Sequence, residues 1–288
     1  YLEEFYGEVT ERIHAIETGL SADPIVLGLI PELDDKTFLS NSDAHSAQLH
    51  RMGREFTSLE ISSKLNYEAV ITAIRQNKTI RTTEFSPSEG RYFLTGHREL
   101  RWRPKDEKQR QKRKKKRWHE KGEYCYFSPS FVPENDICPI CGRTLTIGVL
   151  QRAFEISRAQ GSDRRLGDQG RPRNFVHMIP LIEALAKSLE IKTVTSKRVE
   201  GYYNTIIDRV GTECDFWFLE SDVMRNSLEG IVPMESIEKI IAIREGKFCF
   251  EPPGFDGEYG SLSIGVLQDV LNHNVIQGTK LPKISRLV

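Results

Sequence analysis

Two groups of residues in this chain have the types and spacing that chemistry needs. Cys138 and Cys141 are separated by two residues and followed by Gly142. Such a knuckle lets two thiolates clasp one tetrahedral zinc ion at about 2.3 Å, and the glycine allows the backbone to fold back over it. Two further ligands are required. Cys125 precedes the knuckle with twelve residues between, and His97 lies further upstream. The set to expect is therefore His97, Cys125, Cys138 and Cys141, with His119 as the rival for the fourth place. A zinc ion closed in by four side chains stabilises a fold but leaves no position for water, so hydrolysis must reside elsewhere. The other group is Asp43-Ala44-His45. A carboxylate and an imidazole two residues apart on an extended backbone project to one side, where both reach one ion. Ser42 and Ser46 flank the pair, and Gly53-Arg54-Glu55-Phe56 follows at the mouth of the next expected strand. His50 is tied to this group by proximity alone.

Strands and helices must hold these residues in place. Thr37 to Ser40 reads as a short strand that gives way at Asn41 to the polar cluster, and strand ends are common addresses for chemistry. Thr57 to Ile61 and Thr79 to Thr83 read as further strands. Between them Asn66 is placed to cap a helix over Tyr67 to Gln76, with Val70, Ile71 and Ile74 inward. Upstream, Leu2, Phe5, Tyr6, Val9, Ile13 and Ile16 follow one helical stripe, so residues 1–18 are predicted to form a surface helix stopped at Gly19. Downstream, helices are expected over Leu181 to Leu189, Tyr202 to Val210 and Ser236 to Arg244, a buried strand over Phe216 to Leu219, and a tight turn over Pro253 to Gly257. Cys214 and Cys249 sit beside or between aromatic residues and are expected to be buried structural thiols.

The composition, 38% hydrophobic and 28% charged over 288 residues, is that of a globular protein and excludes collagen-like and wholly disordered classes. No apolar run approaches the roughly 18 residues of a membrane span. The odd number of cysteines, and an acidic opening stretch that fits neither a secretory signal nor a transit peptide, lead us to expect a reducing, cytoplasmic setting. A net charge of zero hides an asymmetry: Arg98 to Lys121 holds 13 Lys and Arg against 4 Asp and Glu. Its centre, Lys112, Arg113, Lys114, Lys115, Lys116 and Arg117, is a solvated surface run or a non-specific phosphate contact for nucleic acid. Character changes near Ser86 to Arg91, which suggests three parts: residues 1–88, residues 89–152 with a basic insertion over about 99–124, and residues 153–288.

Ser42-Asp43-Ala44-His45-Ser46 with Gly53-Arg54-Glu55-Phe56 resembles the last metal-binding motif of the PHP (polymerase and histidinol phosphatase) superfamily, in particular its endonuclease Q branch. Other segments agree in order: Pro87 to Tyr92, Gly96-His97-Arg98, Cys138 to Leu150, Pro180 to Glu183 and Pro253 to Gly260. The resemblance runs from about Thr37 to Gly265. It implies an α/β fold, the C-terminal part of a distorted (β/α)7 PHP barrel followed by a zinc-binding α/β domain and a C-terminal portion that helps hold DNA. It implies a DNA repair endonuclease that cuts the backbone 5′ of deaminated bases (hypoxanthine, uracil, xanthine) or abasic sites. Asp43 and His45 would then be ligands of a catalytic cluster of divalent ions (Zn2+, Mn2+ or Mg2+), His97, Cys125, Cys138 and Cys141 would hold a structural Zn2+, and Arg54 would contact a phosphate. The partner would be DNA containing damaged bases, with no membrane involved. The family's N-terminal His-x-His is missing from the 288 residues, so the front of the barrel is expected to precede Tyr1. A catalytically inactive, zinc-stabilised nucleic-acid-binding module is the alternative. A PHP phosphoesterase acting on a small phosphate stands third.

Overall fold

The computed structural model describes residues 1–98, 119, 122–265 and 275–278. The basic run Lys112 to Arg117 lies outside the described residues. Near the N-terminus the single helix expected over residues 1–18 is replaced by three elements: α1 (Leu2–Tyr6), a 3-10 turn (Gly7–Arg12) and the strand β1 (Ala15–Glu17). Gly7, at φ 55°, ends α1 after five residues. The β-branched Ile13 and Ile16 that completed the helical stripe instead lead into and occupy a strand, a backbone that suits them better. After α2 (Pro24–Leu27), β2 (Thr37–Leu39) runs parallel to β1 with Glu17 opposite Leu39.

A second sheet has β4 (Thr79–Glu84) at its centre, with β3 (Phe56–Leu59) antiparallel on one side and β7 (Phe175–His177) parallel on the other. The helix between β3 and β4 is α3 (Tyr67–Arg75), capped as expected by Asn66, whose side chain accepts from the Ala69 N–H at 2.9 Å. Serine and threonine side chains join the two sheets. Ser40 Oγ donates to the Thr83 carbonyl at 3.1 Å, and Thr57 Oγ1 accepts from the Ser40 N–H at 2.8 Å. The C-terminal ends of β1, β2, β4 and β7 therefore gather in one region.

β5 (Thr95–Arg98) and β6 (Tyr124–Phe127) pair antiparallel with His97 opposite Cys125, and β10 (Val275–Gly278) adds to the other edge of β6. On this sheet rests α4 (Val149–Ala159). One apolar core, containing Val26, Leu29, Phe38, Leu94, Tyr126, Leu150 and Phe255, draws on all three sequence parts. Another gathers the C-terminal helices α5 (Leu181–Ser188), α6 (Lys197–Val210), α7 (Glu213–Trp217), α8 (Ser221–Leu228) and α9 (Met234–Arg244), closed by the hairpin β8 (Phe248–Phe250) and β9 (Leu262–Ile264).

Two expectations fail here. In place of the strand expected over Phe216 to Leu219, Phe216 and Trp217 end α7 and the next two residues turn away from it; α7 is opened by Thr212, whose hydroxyl accepts from the Asp215 N–H at 3.0 Å. A four-residue apolar run does not distinguish a strand from a short buried helix, and the Thr212 cap settles the matter. Cys214 consequently faces outward on α7 and is exposed, whereas Cys249 is buried as expected.

Candidate functional site

The strand-end site starts where β2 finishes. Asp43 takes a left-handed backbone conformation, φ 45°, so the chain turns there instead of continuing extended. The turn brings the two side chains together: His45 Nε2 lies 3.3 Å from Asp43 Oδ1, with the side chains 88% and 62% exposed. The pair converges and is open to solvent, though not by the strand alternation that the spacing suggested.

Arg54 shapes this loop from beneath. Only 6% of the residue is exposed, its Nε donates to the Ser42 carbonyl at 2.9 Å, and its guanidinium lies 5.2 Å from the Phe85 ring centroid. The buried carboxylates Glu55, Glu89 and Glu183 surround Arg54 and Arg51. Burial pushes Glu55 and Glu183 up to about 7 and holds Glu89 well above the usual carboxylate range, against the pull of these arginines. His50 is also buried, and neither ring nitrogen has a hydrogen-bond partner among the described residues. Burial, then the neighbouring Arg51 and Arg54, hold it below the ordinary imidazole range.

Sequence reasoning missed a polar group at the ends of β4 and β7. Glu84 and His177 are cross-strand neighbours, and His177 Nε2 meets Asp23 Oδ2 at 2.9 Å. Asp23 also caps α2 through the Val26 N–H. Glu84 is wholly buried. One of its oxygens accepts from the Thr82 hydroxyl and the other has no partner among the described residues. Burial raises it to about 8, and Asp23 and Glu55 push the same way. The position of Glu84 as the last residue of a strand was the available signal.

The Cys/His centre gathers where the β5–β6 pair meets the Cys138 to Gly142 knuckle. His97, His119, Cys138 and Cys141 are all buried, and their donor atoms lie within 4.8 Å of one another. His119 Nε2 is 3.1 Å from Cys138 Sγ, and His97 Nδ1 is 3.2 Å from Cys141 Sγ. Edges of about 3.3 to 3.8 Å are what a tetrahedral zinc with ligands at 2.0 to 2.3 Å presents. The second nitrogen of His119, Nδ1–H, donates to the Glu123 carbonyl at 2.8 Å, which leaves the Nε2 lone pair facing the thiols. The knuckle closes through Gly142, at φ 71°, whose N–H donates to the Cys138 carbonyl. The donor set fits zinc. Cys125 stands beside it, 3.6 Å from Cys138 Sγ, but the mutually close set takes His119. Burial pushes the thiols of Cys125 and Cys141 up; for Cys141, within the close set, a bound cation is the natural compensation for holding a thiolate. Among the described residues this is the only group of three or more donors close enough to share one ion. No helix among them is long and apolar enough to cross a membrane.

No family model matches the chain. It is 33% identical over 265 residues to an uncharacterized protein of Methanocaldococcus jannaschii, covering 91% of this chain and 30% of that protein. It is 27% identical over 254 residues to the uncharacterized protein YqxK of Bacillus subtilis, covering 87% and 52%. The crystal structure of the lesion-specific endonuclease PfuEndoQ from Pyrococcus furiosus superposes with a TM-score of 0.66 at 27% identity, covering 94% of this chain and 59% of that one. Endonuclease Q in complex with a 27-mer duplex carrying an abasic lesion at the active site gives a TM-score of 0.66 at 24% identity, over 95% and 60%. The chain thus spans between about a third and three fifths of the proteins it matches. An α/β fold shared over nearly all of these residues, at 27% identity to PfuEndoQ, supports a place for the chain with the endonuclease Q family.

Proposed function

We propose that the chain is part of a metal-dependent DNA repair endonuclease that hydrolyses the backbone 5′ of deaminated bases (hypoxanthine, uracil, xanthine) or abasic sites. The observation that carries this reading is the convergence of Asp43 and His45, solvent-open at a strand end, in a chain that superposes on a lesion-specific endonuclease. The strands belong to the C-terminal part of a PHP barrel, and Asp43 and His45 supply two ligands of its catalytic centre. When bound, paired divalent ions supply Lewis acidity toward a phosphodiester and activate water near neutral pH.

The residues of this chain have separable roles. Asp43 offers a carboxylate oxygen and His45 an imidazole nitrogen to the same open point. Arg54 positions the loop that carries them by holding the Ser42 carbonyl; buried as it is, it acts through that loop in place of the phosphate contact expected from its motif. The buried His97, His119, Cys138 and Cys141 hold a structural Zn2+ that orders β5 and β6. The basic run Lys112 to Arg117 adds non-specific phosphate contacts that strengthen binding without reading sequence.

A second reading is a zinc-stabilised nucleic-acid-binding module without catalysis. It is favoured by the fact that, among the described residues, Asp43 and His45 are not joined by a third close donor. Nicking of an inosine-containing duplex with manganese or magnesium separates the two. In the protein that carries this chain, Asp43→Asn abolishes nicking and spares duplex binding. Undiminished nicking by that variant removes the catalytic role of Asp43, and binding without nicking by the unaltered protein selects the module.

A further inference from the structure

The turn Pro253 to Gly257 is set hard against the segment that begins at Ser88. A side-chain carbon on Gly254 would lie 1.9 Å from the Gly90 carbonyl oxygen, so only glycine fits this crossing. The backbone is held on both sides: Gly254 N–H donates to the Ser88 carbonyl at 2.7 Å, Gly260 N–H to Glu89 at 2.9 Å, and Gly257 N–H to Arg91 at 3.0 Å. Arg91 Nε returns a bond to the Gly257 carbonyl at 2.8 Å. Asp256 accepts from the Arg98 N–H at 2.9 Å, and its carbonyl accepts from Arg98 Nε at 2.8 Å. Glu258 pairs with Arg98 Nη1 at 2.6 Å. A tip fixed in this way presents its side chains in one arrangement.

Three donors converge there. A carbon on Gly257 would lie 3.6 Å from Arg91 Nη2, 3.6 Å from Arg98 Nη2 and 3.7 Å from Tyr92 Oη. Gly257, at φ 84°, takes a conformation that disfavours a side chain, and the three groups stand at contact distance around the point where one would begin. Two guanidinium groups, that of Arg98 already paired with Glu258 through Nη1, and a phenol hydroxyl around one point suit a tetrahedral oxyanion better than a planar apolar group. The surroundings add ring faces. The Arg91 guanidinium lies 5.9 Å from the Tyr92 centroid and 5.4 Å from that of Tyr259, and these rings are 46% and 44% exposed. Exposed tyrosines beside paired cations are the elements from which single-strand grooves are built, phosphate on the cations and bases on the rings.

We propose that Arg91, Arg98 and Tyr92, converging over Gly257, form a cradle for a backbone phosphate of nucleic acid, with Tyr92 and Tyr259 stacking on the adjacent bases. The proposal rests on the DNA reading above and adds to it a binding site separate from Asp43 and His45. Arg98 follows the zinc-set residue His97 in β5, so the cradle sits at the edge of the Cys/His centre.

The test measures binding of an inosine-containing duplex and of an oligothymidylate across a salt series, using the protein that carries this chain. Variants are Arg91→Gln and the exposed-ring change Tyr92→Ala, each checked for wild-type zinc content and thermal unfolding. Arg91→Gln is expected to weaken binding about five- to tenfold and to lower the salt slope by about one, the signature of one lost phosphate contact. Tyr92→Ala is expected to weaken oligothymidylate binding about fivefold with a smaller change in slope. Arg91→Lys recovers most of the slope. Wild-type affinity and slope in Arg91→Gln and Tyr92→Ala overturn the cradle while leaving the nicking result on Asp43 untouched; should Arg91→Gln fail to fold, Tyr92→Ala alone decides. An unaltered protein that binds no nucleic acid overturns both readings. Inorganic phosphate that raises the unfolding temperature of the wild type but not of Arg91→Gln, with DNA affinity unchanged, assigns the cradle to a free anion and overturns the strand assignment.

Discussion

Glu84→Gln tests the buried acids at the strand ends. Glu84 is wholly buried, has one oxygen without a partner among the described residues, and is pushed by burial to about 8 from an ordinary 4.5. The folded chain therefore keeps a proton on Glu84 at pH values where the unfolded chain has lost it. Unfolding releases that proton between about pH 4.5 and 8, so the contribution to stability is fully present below 4.5 and is lost as the pH rises through 8. One such group changes stability by at most about 1.4 kcal/mol per pH unit. Over the whole window the sum is on the order of 2 to 4 kcal/mol once relaxation around the carboxylate is allowed. Glutamine keeps the shape of the neutral acid and cannot ionise. Urea unfolding at half-unit steps from pH 5.5 to 8.5 should show wild-type stability falling relative to the variant by about 1 kcal/mol per unit. Zinc binding, which strengthens with pH as thiols ionise, acts on both proteins and cancels in the difference. Parallel stability curves for the two proteins would refute the raised ionisation of Glu84.

Arg54→Ala should lower nicking about 10- to 100-fold while duplex affinity stays within about twofold, because it frees the Ser42 carbonyl and the loop of Asp43. A quench-flow nicking assay beside fluorescence anisotropy separates the two effects, and an affinity loss exceeding the rate loss would return Arg54 to direct phosphate contact. His119→Ala should abolish stoichiometric zinc, whereas Cys125→Ser should retain it, since the mutually close donors include the former and not the latter. Metal analysis after dialysis reads both, and the opposite pattern would restore Cys125 to the set.

The sequence disclosed elements wherever a local signal agreed with the tertiary outcome. Asn66 caps α3 through the Ala69 N–H because an Asx side chain before an apolar periodic run has that bond within reach in any surroundings. The knuckle Cys138 to Gly142 closes for the same local reason. Features that arise from distant residues stayed hidden. Ile16 obeys the helical stripe from Leu2 onward, yet β2 pairs with it as a strand, and pairing energy outweighs a spacing that suits both structures. Asp43 and His45 were recognisable as partners, but the left-handed turn that makes them converge is imposed by a loop held at Ser42 by Arg54. His119 was visible only as a rival to Cys125, because the choice between them depends on the Glu123 carbonyl that orients its ring.

The contrast in burial between the two donor groups bears directly on the division of labour. His97, His119, Cys138 and Cys141 are each below 9% exposed, and soft donors enclosed in this way complete a tetrahedron and leave no position for water. Asp43 and His45 are 62% and 88% exposed, a hard oxygen and an imidazole with room for further ligands and for a substrate. The closed centre fixes β5 through His97, and the next residue, Arg98, is held by Asp256 and Glu258 of the glycine-rich turn. That turn is anchored in its turn on Ser88 and Glu89, and the Glu89 carboxylate faces Arg54 beneath the Asp43 loop. Hydrogen bonds and an ion pair thus run from the Cys/His centre through Arg98 and the glycine-rich turn as far as the backbone of Ser88 and Glu89. On the proposed function, the closed centre would in this way hold the cradle of Arg91 and Arg98 at a fixed place on the fold.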